Sequence, residues 1–277
     1  MPNSDKHNNN ERSSFRDEAA SLHTAFCLLG GNTLYSAEYN NTTRRFSQVQ
    51  ALGIDSTDAL KQQLNTAGGD RHHKYLSVAN KNFTIVPEGV FTPENKSDYL
   101  HLIFDSSEID SKQDIRYEAE TGITGTRFIY AVDENISKTA ASCGFKLKHA
   151  LPAHLKVAEQ HAQNGSENQG FIFLYENFFY LALFNGAFLM CNTFPLKTNA
   201  DLGYYTLFTM EQFNMKGSDT VIHYCGQTDQ DAAKTKILDP YVKKLSPLSG
   251  FVFAGSDQKN NLTQSRNFTL YSQLLCA

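Results

Sequence analysis

One long apolar stretch dominates the second half of the chain: FIFLYENFFYLALFNGAFLMCNTF, from Phe171 to Phe194. Glu176-Asn177 and Asn185-Gly186 interrupt it at close spacing, and Asn-Gly between apolar segments is the strongest short signal for a β-hairpin. A membrane-spanning helix needs about 20 uninterrupted apolar residues, so the pattern argues against membrane insertion. It predicts three antiparallel strands whose sheet is covered on both faces. These strands are expected at residues 170–175, 178–184 and 187–194.

A second stretch with the same layout lies in the first half of the chain, from Leu22 to Gly53. Two turn signals, Gly30-Gly31-Asn32 and Asn40-Asn41-Thr42, separate three strand-like runs. The first half is therefore also predicted to begin with a three-stranded antiparallel meander.

Helix and strand patterns alternate after each meander. The first half is predicted to contain a helix at 56–67, a strand at 74–80, an apolar segment at 82–91, a helix at 93–104, a hairpin at 115–132, a helix at 133–144, a strand at 145–151 and a helix at 152–162. The second half is predicted to contain a helix at 198–215, a strand at 220–226 and a helix at 229–245 that Pro240 breaks. Each half therefore follows the order meander, helix, strand, helix.

A polar segment that contains two glycines, QNGSENQG at residues 163–170, separates the two halves as a linker would. The prediction is a mixed α/β protein with two domains, at residues 21–166 and 167–277. Residues 1–20 have neither an apolar signal core nor an arginine-rich amphipathic pattern, so we expect a disordered leader on a cytoplasmic protein.

Composition narrows the functional classes. The chain has 277 residues, 40% hydrophobic residues and a formal net charge of −4. A negative chain has no general attraction for nucleic acid, so no nucleic-acid partner is expected. The five cysteines have neither metal-binding nor redox spacing, which indicates small buried residues in a reducing compartment.

Four segments carry a family resemblance: NFTIVPEGVF, NGAFLMCNTF, DLGYYTLFTMEQFNM and VIHYCGQ. They resemble an uncharacterised bacterial family, the domain of unknown function DUF3822, to which the actin-like ATPase fold is assigned. The resemblance runs from about His23 to the terminal LLCA. It implies two ribonuclease-H-like domains that face each other across a cleft.

The resemblance also implies where a site would lie. In active members of the actin-like group, a tight turn in each domain carries an acidic, glycine-containing loop that cradles phosphate and organises Mg²⁺. The corresponding turns here are Gly30-Gly31-Asn32, which has no carboxylate before Glu38, and Tyr175-Glu176-Asn177, which has no glycine. Active members also have a glycine-rich turn that binds adenosine after a late strand, and Gly226 is the one glycine at the corresponding place here. The implied site is degenerate, and its candidate residues are Gly30, Gly31, Asn32, Glu176, Asn177 and Gly226.

Other catalytic patterns are missing from the sequence. The histidines lack metal-ligand spacing, and neither a hydrolase nucleophile elbow nor a phosphate-binding loop motif occurs. His223 lies within an apolar strand and is interpreted as a core residue. Glu118 and Glu120 alternate along the predicted hairpin and are interpreted as a solvated face, while Asp229 and Asp231 complement a helix dipole.

Two functions therefore remain open. The first is a non-catalytic scaffold without a cofactor, which binds an unidentified protein partner through the cleft or through an exposed hairpin between Asp114 and Val132. The alternative is a nucleotide-binding switch or weak ATPase or phosphotransferase, which binds ATP with magnesium through Gly30, Gly31 and Gly226. The missing carboxylates favour the scaffold.

Overall fold

The computed structural model describes residues 22–105, 107–109, 111–119, 121–163, 165, 168–226, 233–248 and 267–277. The predicted leader at 1–20 lies outside the described residues, as do Glu120, Asp229 and Asp231. The predicted division between residues 166 and 167 also falls outside them and stays a prediction.

The first half forms a five-stranded sheet, referred to below as sheet 1. Its strands are β1 (His23–Gly30), β2 (Thr33–Asn40), β3 (Arg45–Gly53), β4 (His73–Ala79) and β8 (Lys146–His149). The first three form the predicted antiparallel meander, and β4 and β8 continue the sheet in parallel beside β1. Helices separate the parallel strands, as their crossovers require.

The second half repeats this topology in sheet 2. Its strands are β9 (Asn168–Leu174), β10 (Phe178–Asn185), β11 (Ala187–Pro195), β12 (Thr220–Cys225) and β13 (Lys244–Pro247). The order β11-β10-β9-β12-β13 matches the order β3-β2-β1-β4-β8 strand for strand, including the direction of every pairing. The mixed α/β class and both predicted meanders are confirmed.

A third sheet lies between β4 and β8 in the chain, within a segment of residues 80–133 that we call the insertion. Its strands are β5 (Phe83–Pro87), β6 (Gln113–Glu118) and β7 (Thr126–Asp133), in the order β5-β7-β6. The prediction of an exposed hairpin between Asp114 and Val132 is wrong for its second strand. Because β5 and β6 pair with the two edges of β7, β7 is the central strand of this sheet, and its residues 128–132 are buried.

The α-helices with both ends inside the described residues are α1 (Thr57–Gly68), α2 (Lys96–His101), α3 (Glu134–Ser142), α4 (Leu151–Gln163) and α5 (Asn199–Gln212). Ser56 caps α1 by accepting a hydrogen bond from the Ala59 amide, and Thr198 and Asp201 form a capping box at α5. The predicted helix at 93–104 is shorter than expected, since α2 follows a 3₁₀ turn. Among the described residues, no helix is both long and apolar enough to cross a membrane.

The last helical element of each half packs on the sheet of the other half. Helix α4 follows sheet 1 in the chain but packs on β9, β10 and β11 of sheet 2. Residues 267–277, which we call the C-terminal segment, pack on sheet 1, where the Tyr271 ring stacks on Phe46 with centroids 4.4 Å apart. The largest apolar cluster consequently contains residues from both sheets, such as Phe26 and Tyr180.

The chain after α5 differs from its prediction at one point. Residues 233–238 are helical, but the expected continuation to residue 245 is wrong, because Lys244–Pro247 forms β13 and pairs in parallel with β12. This strand is stabilised by hydrogen bonds to a distant part of the chain. A local sequence pattern contains no information about that pairing.

Candidate functional site: a cleft at the carboxyl ends of β1 and β4

An open cleft of about 360 Å³ lies at the carboxyl ends of β1 and β4. One wall consists of Leu29 and residues 78–82, and the opposite wall consists of Gln113, residues 131–133 and Ile136. Gly31 and the pair Asn177-Phe178 close the end that faces the second half. Ligands of open α/β sheets bind outside the carboxyl ends of the strands, so this cleft is the candidate site.

The two predicted turns meet at the cleft. Both are two-residue hairpin turns: Gly30 pairs with Thr33, and the Tyr175 amide donates to the Phe178 carbonyl at 2.9 Å. Gly31 has φ of +61°, and a Cβ built on it would lie 3.3 Å from Glu176 Oε2. A carboxylate of the second half therefore rests against the turn of the first half.

The structure brings together three of the six candidate residues. Gly31 and Asn177 line the cleft, and Glu176 lies beside Gly31. The other three do not line it. Gly30 ends β1 and pairs with Thr33 and Ala79, the Asn32 carbonyl accepts the Ile54 amide, and Gly226 is buried after β12.

Several lining residues were missed by sequence reasoning. Lys81 lies 5.8 Å above the centroid of the Phe178 ring, a contact across the two halves. Asp133 lines the opposite wall, and its Oδ1 accepts the Asn135 amide at 2.7 Å as the cap of α3. Gln113 Oε1 is buried without a hydrogen-bond partner in the described structure. Only the cap had a local signal, an Asp directly before a helical pattern.

Aromatic rings near the cleft residue Asn80 join the two halves. Tyr180 of β10 donates a hydrogen bond to the Asn80 carbonyl at 2.7 Å, and its ring packs edge-on against Phe83 of the insertion. His149 lies among these rings, and burial lowers its pKa to about 3. A neutral His149 is compatible with apolar surroundings, since burial disfavours the charged form.

Glu118 is not on a solvated face, which corrects the earlier interpretation. Its Oε1 accepts a hydrogen bond from the His149 amide at 2.5 Å, and burial raises the pKa of Glu118 to about 7. It connects the insertion to the end of β8. His223 is largely buried as expected, with its ring stacked on Phe171 and 4.2 Å from the His161 centroid. In the described part of the chain, no three His, Cys, Asp or Glu side chains are placed to hold a metal.

The cleft therefore offers few groups for phosphoryl transfer. Asp133 is the one carboxylate among the described lining residues, and it already caps a helix. Magnesium bound with a nucleotide is held by carboxylates together with phosphate oxygens. Glu176 supplies a negative charge at the point where a phosphate would approach Gly31.

Comparison with solved structures supports the fold. The chain is similar to a protein of Bacteroides thetaiotaomicron with an actin-like ATPase fold and unknown function, with 12% identity, coverage of 94% of this chain and 98% of the other, and a TM-score of 0.78. It is also similar to a chain of the PilM–PilN type IV pilus biogenesis complex, with 10% identity, coverage of 90% and 96%, and a TM-score of 0.60. At these identities the similarity establishes the actin-like ATPase fold alone.

Sequence comparison gives the family. No curated protein matches the chain. The model of the family "Protein of unknown function (DUF3822)" matches residues 72–245, which is more than half of the chain. The match begins one residue before β4 and ends within β13. The chain belongs to the DUF3822 family.

Proposed function

We propose that the protein is a non-catalytic actin-like scaffold that binds a protein partner in the cytoplasm. The observation that carries the proposal is the contact between the two turns at the cleft. Glu176 lies against Gly31, so the backbone that would cradle a phosphate faces a carboxylate instead. A carboxylate beside this turn repels an approaching phosphate, and the repulsion disfavours a bound nucleotide.

A second line of support comes from the similar structures. The PilM–PilN title describes a complex of two proteins, one chain of which has a fold similar to this chain. The fold can therefore serve as one member of a protein assembly.

Two surfaces could receive the partner. The cleft is one. The insertion is the other, and it exposes apolar side chains that a solvated loop does not need, including Leu102 at 82% and Val90 at 62%. Tyr117 of β6 is also exposed, which keeps part of the predicted hairpin surface available.

Affinity capture with substituted baits tests the scaffold. Leu102→Glu alters the insertion and Lys81→Glu alters the cleft, while Tyr204→Glu changes an exposed apolar side chain of α5 as the control. A partner that is held by the unsubstituted protein and by Tyr204→Glu, but lost with either of the other variants, supports the proposal. Retention by every variant, or loss with every variant, would contradict it.

The alternative is a nucleotide-binding switch that binds ATP with magnesium, and one observation favours it. Gly31 and Lys81 both line a cleft at the carboxyl ends of parallel strands, where many α/β proteins bind nucleotides. This candidate requires saturable binding that depends on Gly31. A calorimetric titration separates it from the scaffold.

A further inference from the structure

A row of buried polar side chains runs from the strand of one wall of the cleft to the turn that closes the end facing the second half. It consists of Ser77, Gln273, Ser272, His154 and Tyr175, which we call the tie. Ser77 directly precedes the wall residues Val78 and Ala79, and Tyr175 directly precedes the turn Glu176-Asn177. Each of the five residues is at most 4% exposed.

Hydrogen bonds connect each member of the tie to the next. Ser77 Oγ donates to Gln273 Oε1 at 2.6 Å, and Gln273 Nε2 donates to Ser272 Oγ at 3.4 Å. Ser272 Oγ lies 3.0 Å from His154 Nδ1, and His154 Nε2 lies 2.8 Å from the Tyr175 hydroxyl. The tie therefore crosses from sheet 1 through the C-terminal segment and α4 to the turn of sheet 2.

His154 is suited to the middle of such a row. Its ring stacks on Phe173 with centroids 4.8 Å apart, and burial lowers its pKa to about 3, so the ring is neutral at neutral pH. A neutral imidazole has one N–H donor and one acceptor nitrogen, so it can bond to both hydroxyls in either tautomer. Replacing either hydroxyl leaves a buried polar atom without a partner.

We propose that the tie is a conformational device that holds the wall at residues 78–82 and the turn at Glu176-Asn177, which closes the end of the cleft, at a fixed separation without any ligand. Ser77 and Tyr175 lie at the two ends of the tie, and the path between them uses side chains that are almost completely buried. A change at one end is therefore expected to alter hydrogen bonds at the other. The device concerns the shape of the cleft and goes beyond the question of what occupies it.

Hydrogen exchange of the full chain tests the tie by effects across the cleft. In Ser77→Ala, the Tyr175 amide, which donates to the Phe178 carbonyl, is expected to exchange about tenfold faster, the factor that corresponds to one lost buried hydrogen bond. In Tyr175→Phe, the amides of Val78 and Ala79 are expected to accelerate by a similar factor.

Two controls separate the tie from a general loss of stability. Amides of residues 128–130 in the buried strand β7, which do not line the cleft, report global unfolding within each variant. Thr206→Val removes a buried hydroxyl of α5 whose Oγ1 has no partner in the described structure, so it should leave both ends of the tie unchanged. Acceleration confined to the substituted end, or equal acceleration at residues 128–130, would overturn the proposal.

A double-mutant cycle gives a second readout if exchange is too slow to follow. Ser77 and Tyr175 share no direct contact, and substitutions at independent sites combine in the unfolding constant to within about twofold. If the tie couples the two residues, the unfolding constant of the double variant Ser77→Ala with Tyr175→Phe should differ by about fivefold or more from the value obtained by multiplying the two single effects. Additive behaviour would contradict it. Both experiments are done without nucleotide or partner, so their failure leaves the scaffold proposal untouched.

Discussion

The edge strands β3 and β11 occupy the same place in two sheets of identical topology, but their side chains differ. β3 reads RFSQVQALG, exposes eight of its nine residues and contains Gln48 at φ of +54°. β11 reads AFLMCNTFP, has no charged residue and is mostly half-buried. Irregular backbone and polar side chains protect an exposed edge from pairing with other chains. Shared topology therefore does not determine how much of a strand is covered.

The cause of the difference lies in the layers around each sheet. Sheet 2 packs against α4 on one face and against α5 on the other, so the even and odd residues of β10 both need apolar side chains. This explains the uninterrupted apolar stretch in the sequence. The outer strand of sheet 1, β3, has one buried residue, Phe46, and is exposed along the rest of its length.

The largest expected effect is a substitution in the strand that is covered on both faces. Phe179 is fully buried and packs beneath α5, so Phe179→Ala should reduce the free energy of unfolding by about 3–5 kcal/mol through lost burial and a cavity. Leu181→Ala should cost about 2–5 kcal/mol. Val49→Ala in β3, where the side chain is exposed, is the matched control and should change little. Equal effects in urea denaturation would show that the two strands are covered alike.

Acid should destabilise the protein through its buried histidines. The pKa values of His149 and His154 are lowered to about 3 and that of His223 to about 4, in each case chiefly by burial, so below pH 6.5 the unfolded chain binds protons that the folded protein does not. Their stabilising contribution is complete above pH 6.5 and is lost as the pH falls, at about 1.4 kcal/mol per pH unit for each residue.

Glu118 acts in the opposite direction. Because its pKa is raised to about 7, the folded protein binds a proton between pH 7 and 4.5 that the unfolded chain lacks. The resulting gain in stability offsets the loss caused by about one histidine. The urea midpoint is therefore expected to fall between pH 6.5 and 4.5, and to fall more steeply in Glu118→Gln. A midpoint that stays constant over this range would contradict the burial of these groups.

A smaller effect is expected where the two halves meet at Asn80. Tyr180→Phe removes the hydrogen bond to the Asn80 carbonyl and should cost about 1–3 kcal/mol, since the Tyr180 side chain is buried. Tyr204→Phe removes an exposed hydroxyl of α5 and serves as the comparison. If both variants unfold at the same urea concentration, the bond between Tyr180 and Asn80 contributes nothing to the stability of the contact between the halves.

The smallest effect concerns the two glycine turns. Gly31 and Gly186 have φ of +61° and +69°, so substitution by Ala should cost about 1 kcal/mol at each. Space around Gly186 is open, whereas Gly31 meets only the end of the exposed Glu176 side chain, which can move. The two variants should agree within about 0.5 kcal/mol in thermal or urea unfolding. A much larger loss at Gly31 would mean that Glu176 is rigidly held.

The predicted parts of the fold are those with local signals. Asn185-Gly186 located the β10–β11 turn, and Ser56 located the start of α1. Interactions between distant residues gave no such signal. β13 exists because β12 lies beside it, and β7 is buried because β5 pairs with it.

The same limit applies to the cleft. The turn at Gly31 and the turn at Glu176-Asn177 were predicted from their residues, but the opposite wall at Gln113 and Asp133 comes from the insertion. The tie was also beyond prediction, because Ser77 and Gln273 are 196 positions apart in the sequence. A single sequence specifies turns and caps, while the side chains that meet across a cleft depend on the assembled sheets.

Calorimetric titration of the full chain with ATP and Mg²⁺ tests the central claim most directly. The account predicts no saturable heat for the unsubstituted protein, because Glu176 faces Gly31 and the described cleft has one carboxylate, already engaged as a helix cap. Gly31→Ala and Gly186→Ala should give the same flat titration. Saturable micromolar binding that Gly31→Ala abolishes and Gly186→Ala retains would contradict the scaffold and establish a nucleotide-binding cleft.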